Sequence, residues 1–322
     1  MLIAHQNATR ESALNLAVEQ TLMETLPPDA ELFMLWCDAP SVIVGRNQNA
    51  RREIRADAEV PVIRRLSGGG AVYHDEGNLC FTFITQNDGR FGDHAAFIAP
   101  VVAALNRMGV PAEASGRNDI AAEGRKISGN AQYALGNRLC HHGTLLFDAD
   151  LAALSGILTP DAEKIQGKGI ASVAARVANL KHYLPGMTTD TFAEALLADI
   201  ALHAPDTQRF AIPADIYRRA EALADARYRT WAWNWGASPP YTYRNATRFE
   251  GGGVELLLDV RGGIIESAQI YGDFLALRDL SPLTQALVGC RHQCEDITRA
   301  IQNIDTAGLL GSITPKALIS LF

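Results

Sequence analysis

Two adjacent arginines run directly into three glycines in Arg64-Arg65-Leu-Ser67-Gly68-Gly69-Gly70-Ala71-Val72-Tyr73-His74. Guanidinium groups carry fixed charge and forked donors that suit phosphate or carboxylate. Glycine allows positive φ and close approach of the backbone to a ligand, and consecutive amides at such a turn form an anion-binding nest. Apolar, β-branched runs flank the block, Val60 to Ile63 before it and Leu79 to Ile84 after it. Strand, arginine pair, triple glycine, strand therefore reads as a cradle for an anion, with a plain structural hairpin as the alternative. The chain holds its own control in Gly251-Gly-Gly253, which has no arginine pair before it and reads as a turn or bulge. No Gly-Lys-Ser/Thr follows Gly70, so the block is not a P-loop.

Lys126 is the second candidate. It stands beside Arg125, ahead of a strand-like Ile-Ser-Gly and downstream of Asp119 in Ser115-Gly-Arg-Asn-Asp119. Local sequence leaves two readings for it, a solvated surface lysine or a cation at a site. Cys140 near His142 raises a thiol nucleophile with a base, but adjacency in sequence does not make a dyad. Cys290 and Cys294 invite a zinc site, yet no second ligand pair stands near and their spacing fits a helix face. Glu19 reads as a boundary residue beside an apolar stripe. Trp36 and Val44 are core residues, or the wall of a slot for an apolar ligand.

The elements that must position these residues follow from periodicity. Residues 9–26 form an amphipathic helix stopped by Pro27-Pro28. Glu31 to Trp36 and Ser41 to Val44 bracket a turn and are expected to pair as a hairpin. Gly92 to Met108 is a helix carrying Pro100, expected to be kinked or in two pieces. Gly136-Asn137 is a hairpin turn leading into a return strand from His141 to Asp148. Helices follow at 150–158, at 190–203 with a capping box Thr191-Phe-Ala-Glu194, and at 213–229. A Pro-rich joint at Ala237-Ser-Pro-Pro240 puts the domain boundary near 245, giving a domain over 1–245 and a smaller one over 250–322. The latter is expected to hold strands Val254–Val260 and Ile264–Tyr271, a helix Leu283–Ile301 and a terminal helix Pro315–Phe322.

Composition bounds the class. The chain has 322 residues, 48% of them hydrophobic, enough for one large domain and a small one. No apolar run approaches the roughly 18 residues of a membrane span. The N-terminus lacks the basic and apolar regions of a signal peptide, so cytoplasmic residence is expected. Five scattered cysteines, an odd number, suit reduced thiols. A net charge of −7 argues against nucleic acid as a partner and leaves room for a local basic pocket.

Taken in order, Arg64 to Asp75 with Gly77-Asn78, Ser115 to Asp119, Arg125-Lys-Ile-Ser-Gly129, His141-His-Gly-Thr-Leu145 and Lys168-Gly-Ile170 resemble lipoate–protein ligase A over nearly the whole chain. The resemblance implies an α/β (α+β) fold shared with biotin ligases and class II aminoacyl-tRNA synthetases. Mixed sheets flanked by helices would carry a small C-terminal α+β domain needed for the activation step. It implies a reaction with ATP and Mg²⁺ in which lipoate becomes lipoyl-AMP. The lipoyl group then passes to a lysine of apo lipoyl domains, the E2 subunits of 2-oxoacid dehydrogenases and the glycine cleavage H protein. Carried onto this chain, Lys126 is the catalytic residue. Arg64, Arg65, Ser67, Gly68, Gly69, Gly70, Ala71, Val72, Tyr73, His74, Asp119 and Lys126 face nucleotide or lipoate. Asp119 either holds Mg²⁺ or orients the adenine. Trp36, Val44, Val72 and His74 are expected to line the slot for the acyl chain. One departure stands out: Ala174-Ala175 replace an arginine and serine common in the family. The alternatives are an octanoyltransferase working through a cysteine such as Cys140, a biotin ligase, and a non-catalytic lipoyl-binding relative. The arginine–glycine loop and the appended domain weigh against the first.

Overall fold

The computed structural model describes all residues except 56–57, 158–175, 205, 250–251, 273–279 and 311–312. It divides into two compact units, Met1–Gln48 with Arg52–Thr230, and Asn49–Arg51 with Trp231–Phe322. The expected lysine–glycine segment at Lys168 and the pair Ala174-Ala175 lie outside the described residues.

The larger unit is built on an eight-stranded mixed sheet. Its strands are β1 (Leu2–Gln6), β2 (Leu32–Cys37), β6 (Asn78–Gln86), β7 (Ala112–Ser115), β8 (Asp119–Ala122), β9 (Arg125–Leu135), β10 (Arg138–Leu146) and β11 (Gln208–Arg209). They lie in the order β11-β1-β2-β6-β10-β9-β8-β7. A second, three-stranded sheet orders β4 (Val62–Arg64), β3 (Ser41–Val44) and β5 (Val72–His74), with β3 in the middle. The fold is thus of the mixed-sheet α/β class.

Side-chain alternation along the strands assigns the faces. On β6, Leu79, Phe81 and Phe83 enter a core with Phe97, Val101 and Leu105 from the helix His94–Arg107 and with Phe192 and Leu196 from the helix Thr189–His203. The residues between them take the opposite face, where Thr82 bonds Glu19 on the helix Ser12–Thr25. That second face carries the candidate site.

Several expectations change. The strands expected to pair as a hairpin, Glu31–Trp36 and Ser41–Val44, lie in different sheets: β2 pairs β1 and β6, while β3 pairs β4 and β5. Both are fully buried, so each finds partners on both edges rather than its sequence neighbour. Pro100 does not split its helix, because burial of Phe97, Ile98, Val101, Ala104 and Leu105 outweighs one lost backbone bond. The capping box sits three residues earlier, at Thr188 with Thr191, and Glu194 pairs with His5 instead. Gly136-Asn137 does close a hairpin, between β9 and β10.

The smaller unit is an antiparallel meander of β12 (Tyr241–Phe249), β13 (Gly252–Arg261) and β14 (Ile264–Gly272), over a core of Leu256, Leu258, Ile265, Leu287, Ile297 and Leu318. Two glycines with positive φ, Gly262 and Gly263, turn β13 into β14. The first strand, β12, was not expected, because its mixed polar sequence carries little apolar alternation. The single helix expected over Leu283–Ile301 is two, Ser281–Leu287 and Cys294–Ile301, broken where Gly289 adopts φ +86°. Among the described residues no helix is long and apolar enough to cross a membrane.

Candidate functional site

One rung of the large sheet forms the floor of a pocket. Trp36 on β2 pairs Cys80 on β6, Cys80 pairs Thr144 on β10, the Gly129 amide on β9 donates to the Thr144 hydroxyl at 3.3 Å, and Gly129 pairs Asp119 on β8. Three strand spacings, roughly 14 Å in all, separate Trp36 from Gly129. Leu16, Ile43, Val72 and His74 line the pocket together with Arg65, Gly69, Gly70, Ala71, Asn118, Lys126 and His142. The pocket is thus apolar at one end and cationic at the other.

The cationic end owes its shape to the arginine pair. The Arg65 guanidinium is buried and spends its fork on backbone. Nη2 donates to the carbonyls of Gly68 and Gly70 at 2.6 and 2.8 Å, Nη1 to Ile43 at 3.0 Å, and Nε to the Ser67 hydroxyl at 2.9 Å. In a trans peptide C=O and N–H point opposite ways, so the amides of Gly69 and Ala71 turn away from Arg65. No hydrogen bond engages the amides of Gly68 to Ala71 among the described residues. They form an open row of donors beside a fixed cation. Gly45 makes room for the loop, since a Cβ there would lie 2.1 Å from the Gly69 carbonyl oxygen.

Arg64 has a different task. It is fully buried and donates to the carbonyls of Gly45, Arg46 and Gln48, fixing the loop after β3 that the glycines pack upon. Burial lowers the affinity of both guanidinium groups for their proton, to about 10. Both therefore stay charged at neutral pH. Neither arginine hairpins β4 to β5, because both strands pair with β3.

Lys126 and Asp119, read separately in the sequence, meet: Nζ lies 2.8 Å from Oδ1, with both side chains over a third exposed. A bulge puts Lys126 there, since β8 and β9 slip register between Ile120 and Ala121, and a bulge re-aims the side chain it carries. The backbone of Lys126 is gripped from the other side, donating to the Arg176 carbonyl at 2.7 Å and accepting from the Ala178 amide at 2.9 Å. A Cβ on Gly129 would lie 2.9 Å from Nζ, so a side chain there would push the end of Lys126 out of its present position.

His142, which lines the pocket, belongs to a polar chain that the sequence reading did not assemble. Glu19, expected at a boundary, is 1% exposed. It accepts from Thr82 at 2.7 Å, from Tyr133 at 3.3 Å and from His142 Nδ1 at 3.0 Å, and His142 Nε2 lies 2.6 Å from the Ser67 hydroxyl. Burial works to raise the Glu19 carboxyl, but the adjacent His142 and these donors outweigh it and hold it below the ordinary range. The arrangement braces the hydroxyl that receives Arg65. The signal was present: a carboxylate inside an otherwise apolar helix face needs donors from opposite strands. Cys140 is buried close by, and burial pushes its thiol well up. It does not line the pocket, which leaves it a poor nucleophile.

Of the remaining expectations, Ala71, Val72 and His74 line the pocket and Tyr73 turns to the other face of β5. Val44 is core, with Ile43 taking the wall position expected of it. Among the described residues the cluster with metal-ligand geometry is Glu19, Cys140 and His142, and Cys290 and Cys294 are free thiols.

The chain resembles known proteins over nearly its whole length. Residues 11–201 match the lipoyl protein ligase A/B catalytic domain, and residues 238–322 match the bacterial lipoate protein ligase C-terminus. The chain is 40% identical to lipoate–protein ligase 1 of Staphylococcus aureus over 99% of its length and 98% of the relative's. It is 37% identical to lipoate-protein ligase LplJ of Bacillus subtilis over 100% and 99%. Among solved structures, P. falciparum LipL1 in complex with lipoate superposes with a TM-score of 0.60 at 26% identity, covering 94% of each chain. Lipoate-protein ligase A bound with ATP gives 0.60 at 26%, over 74% of this chain and 97% of that one. With the catalytic and C-terminal models both matched, and full-length relatives this similar, the chain belongs to the lipoate–protein ligase family.

Proposed function

We propose that this chain activates free lipoate with ATP to lipoyl-AMP, and then transfers the lipoyl group to a lysine of apo lipoyl domains, those of E2 subunits and the glycine cleavage H protein. The observation that carries this reading is a single pocket joining an open row of amides and Lys126 to an apolar floor that ends at Trp36. The relatives named above are lipoate–protein ligases. A structurally similar archaeal ligase, at 27% identity and a TM-score of 0.65 over 73% of this chain, is described with its E2 lipoyl domain from Thermoplasma acidophilum.

In the first step a carboxylate attacks the α-phosphate, so two anions must meet. The Lys126 ammonium, a compact charge with three donors, bridges the carboxyl oxygen and the phosphate oxygens as charge develops on them. The Gly68–Ala71 amides hold the phosphates, and Arg65 supplies long-range positive charge while keeping the loop in shape. Asp119 would hold Mg²⁺ or orient the adenine: it is about a third exposed, and its weak pairing with Lys126 yields readily to a ligand. When bound, Mg²⁺ neutralises phosphate charge. In the second step the acceptor lysine attacks the acyl carbon of the mixed anhydride and AMP leaves. The apolar floor keeps water from the anhydride meanwhile.

The test is ATP–pyrophosphate exchange with lipoate, octanoate and biotin in turn. Lipoate-dependent exchange with none from biotin is expected. Lipoylation at full rate without nucleotide would overturn the reading and favour a transferase. A Cys140→Ala protein is expected to stay active.

A further inference from the structure

The apolar end of the pocket contains one polar group whose partner is missing. His74 lines that end beside Trp36 and Cys80. Its ring meets the Trp36 indole edge-on at 6.3 Å between centroids. Its Nδ1 lies 2.8 Å from Oδ2 of Asp38, which is 0% exposed. The other Asp38 oxygen accepts from Asn15 Nδ2 at 2.9 Å. A carboxylate that receives donors on both oxygens fixes the ring so that Nδ1 carries the proton facing it. That leaves Nε2 buried and without a hydrogen-bond partner. Buried polar atoms normally find one, and a buried Asp–His pair is an expensive way to wall a slot that needs only to be greasy.

We propose that His74, oriented by Asp38, is a specificity-determining residue that reads sulfur at the far end of the acyl chain and so separates lipoate from a plain fatty acid. The proposal rests on the lipoate reading above. The geometry matches it: the rung from the Gly129–Lys126 end to Trp36 sets the carboxyl end at Lys126 and the distal end of a medium-length chain beside His74. With Nδ1–H on Asp38, a neutral ring presents a lone pair at Nε2, which contacts an electron-poor disulfide sulfur along the extension of its S–S bond. A ring methylene offers no such contact, and binding it leaves the nitrogen orphaned. Hydrophobic pockets alone discriminate poorly between chains of similar size, whereas an unmet polar group in the wrong complex adds discrimination.

The first arm of the test uses the unaltered protein. Adenylate formation is measured as kcat/KM for lipoate and for 5-cyclopentylpentanoate, which has the same ring and chain with both sulfurs replaced by methylenes. Lipoate is expected to be favoured roughly 2- to 10-fold, the span of one modest hydrogen bond. The second arm repeats the pair on His74→Phe, which keeps a ring and removes the nitrogens, and there the ratio is expected to fall to about one. Equal use of both acids by the unaltered protein overturns the proposal, as does a folded His74→Phe protein that keeps the original ratio. If that variant does not fold, the first arm decides alone. The outcomes separate from the parent reading: absence of adenylate from every acid sinks both, whereas efficient adenylation blind to sulfur sinks this one only.

Discussion

Lys126 and Asp119 form an ion pair of two partly exposed groups, and such pairs contribute at most about 1 kcal/mol to stability. Replacing Lys126 by alanine is therefore expected to leave the melting temperature nearly unchanged while lowering adenylate formation roughly 100-fold or more, the scale of losing one transition-state donor. Unchanged pyrophosphate exchange in that variant would remove Lys126 from the chemistry. A different residue adds to the acid sensitivity of the fold. His141 is buried against Phe97, whose ring stacks at 5.0 Å. Burial above all, then His142 and His94, push its proton affinity down to about 3. Its neighbours fit a neutral ring: Gln132 Nε2 donates to Nδ1 at 3.1 Å, and Nε2 donates to Asn130 Oδ1 at 3.3 Å. The unfolded chain takes up that proton near pH 6.5, the native state only near 3, so the unfolded state binds more protons between them. Stability that His141 contributes above about pH 6.5 is thus lost as pH falls toward 3, at up to about 1.4 kcal/mol per unit. Urea unfolding of the unaltered protein and of His141→Gln, compared at about pH 7 and about pH 5, is expected to show the steeper acid loss in the former. His292, pushed down to about 3 mainly by burial, has the same sign in both proteins and cancels in the comparison.

The loop that carries the glycines shows what an element needs that its residues do not announce. Gly45 stands outside the triple glycine, yet a Cβ on it would collide with the Gly69 carbonyl, whereas a Cβ on Gly70 meets nothing within 4 Å. Gly45→Ala is expected to displace the loop, costing about 1–3 kcal/mol of stability along with adenylation. Gly70→Ala is expected to melt normally and still lose adenylation, because the crowding there comes from the phosphates. Thermal melts beside pyrophosphate exchange separate the two, and a fully active Gly70→Ala would show that the nucleotide does not approach that backbone. The same contrast explains what was legible. The block from Arg64 to His74 could be read because positive charge and bare backbone at fixed spacing have few other uses. The helix at 12–25 could be read from the spacing of Ala17, Val18, Thr21 and Leu22 and the Pro27-Pro28 stop, and the one at 189–203 from its N-terminal threonines, although the cap falls at Thr188. Partnership between strands could not: Ser41–Val44 is buried throughout, and nothing local says that it pairs with Val62–Arg64 and Val72–His74 rather than with Leu32–Cys37. Glu19, Asp38 and Asn118 were missed for a related reason, since their donors and acceptors come from strands distant in sequence.

On the scale of the whole chain there are two units with two separate apolar cores, one around Phe81, Phe97 and Phe192 and the other around Leu256, Leu258 and Leu287. Every residue lining the pocket belongs to the larger unit. Units with independent cores unfold as separate cooperative steps unless their interface is large and apolar, so calorimetry is expected to resolve two transitions. A ligand that binds only the native larger unit stabilises that unit by RT ln(1 + [L]/Kd), about 2.7 kcal/mol at a hundredfold excess over Kd. For a unit of this size that corresponds to a shift of roughly 5–10 °C. Adding a non-hydrolysable acyl-sulfamoyl adenosine is therefore expected to raise one transition by that amount and leave the other in place. The transition that moves should be the one weakened by Gly45→Ala, because that substitution and the ligand act on the same loop. If both transitions move together, the adenylate draws on residues of the smaller unit as well, and the nucleotide site extends beyond the pocket between Trp36 and Lys126.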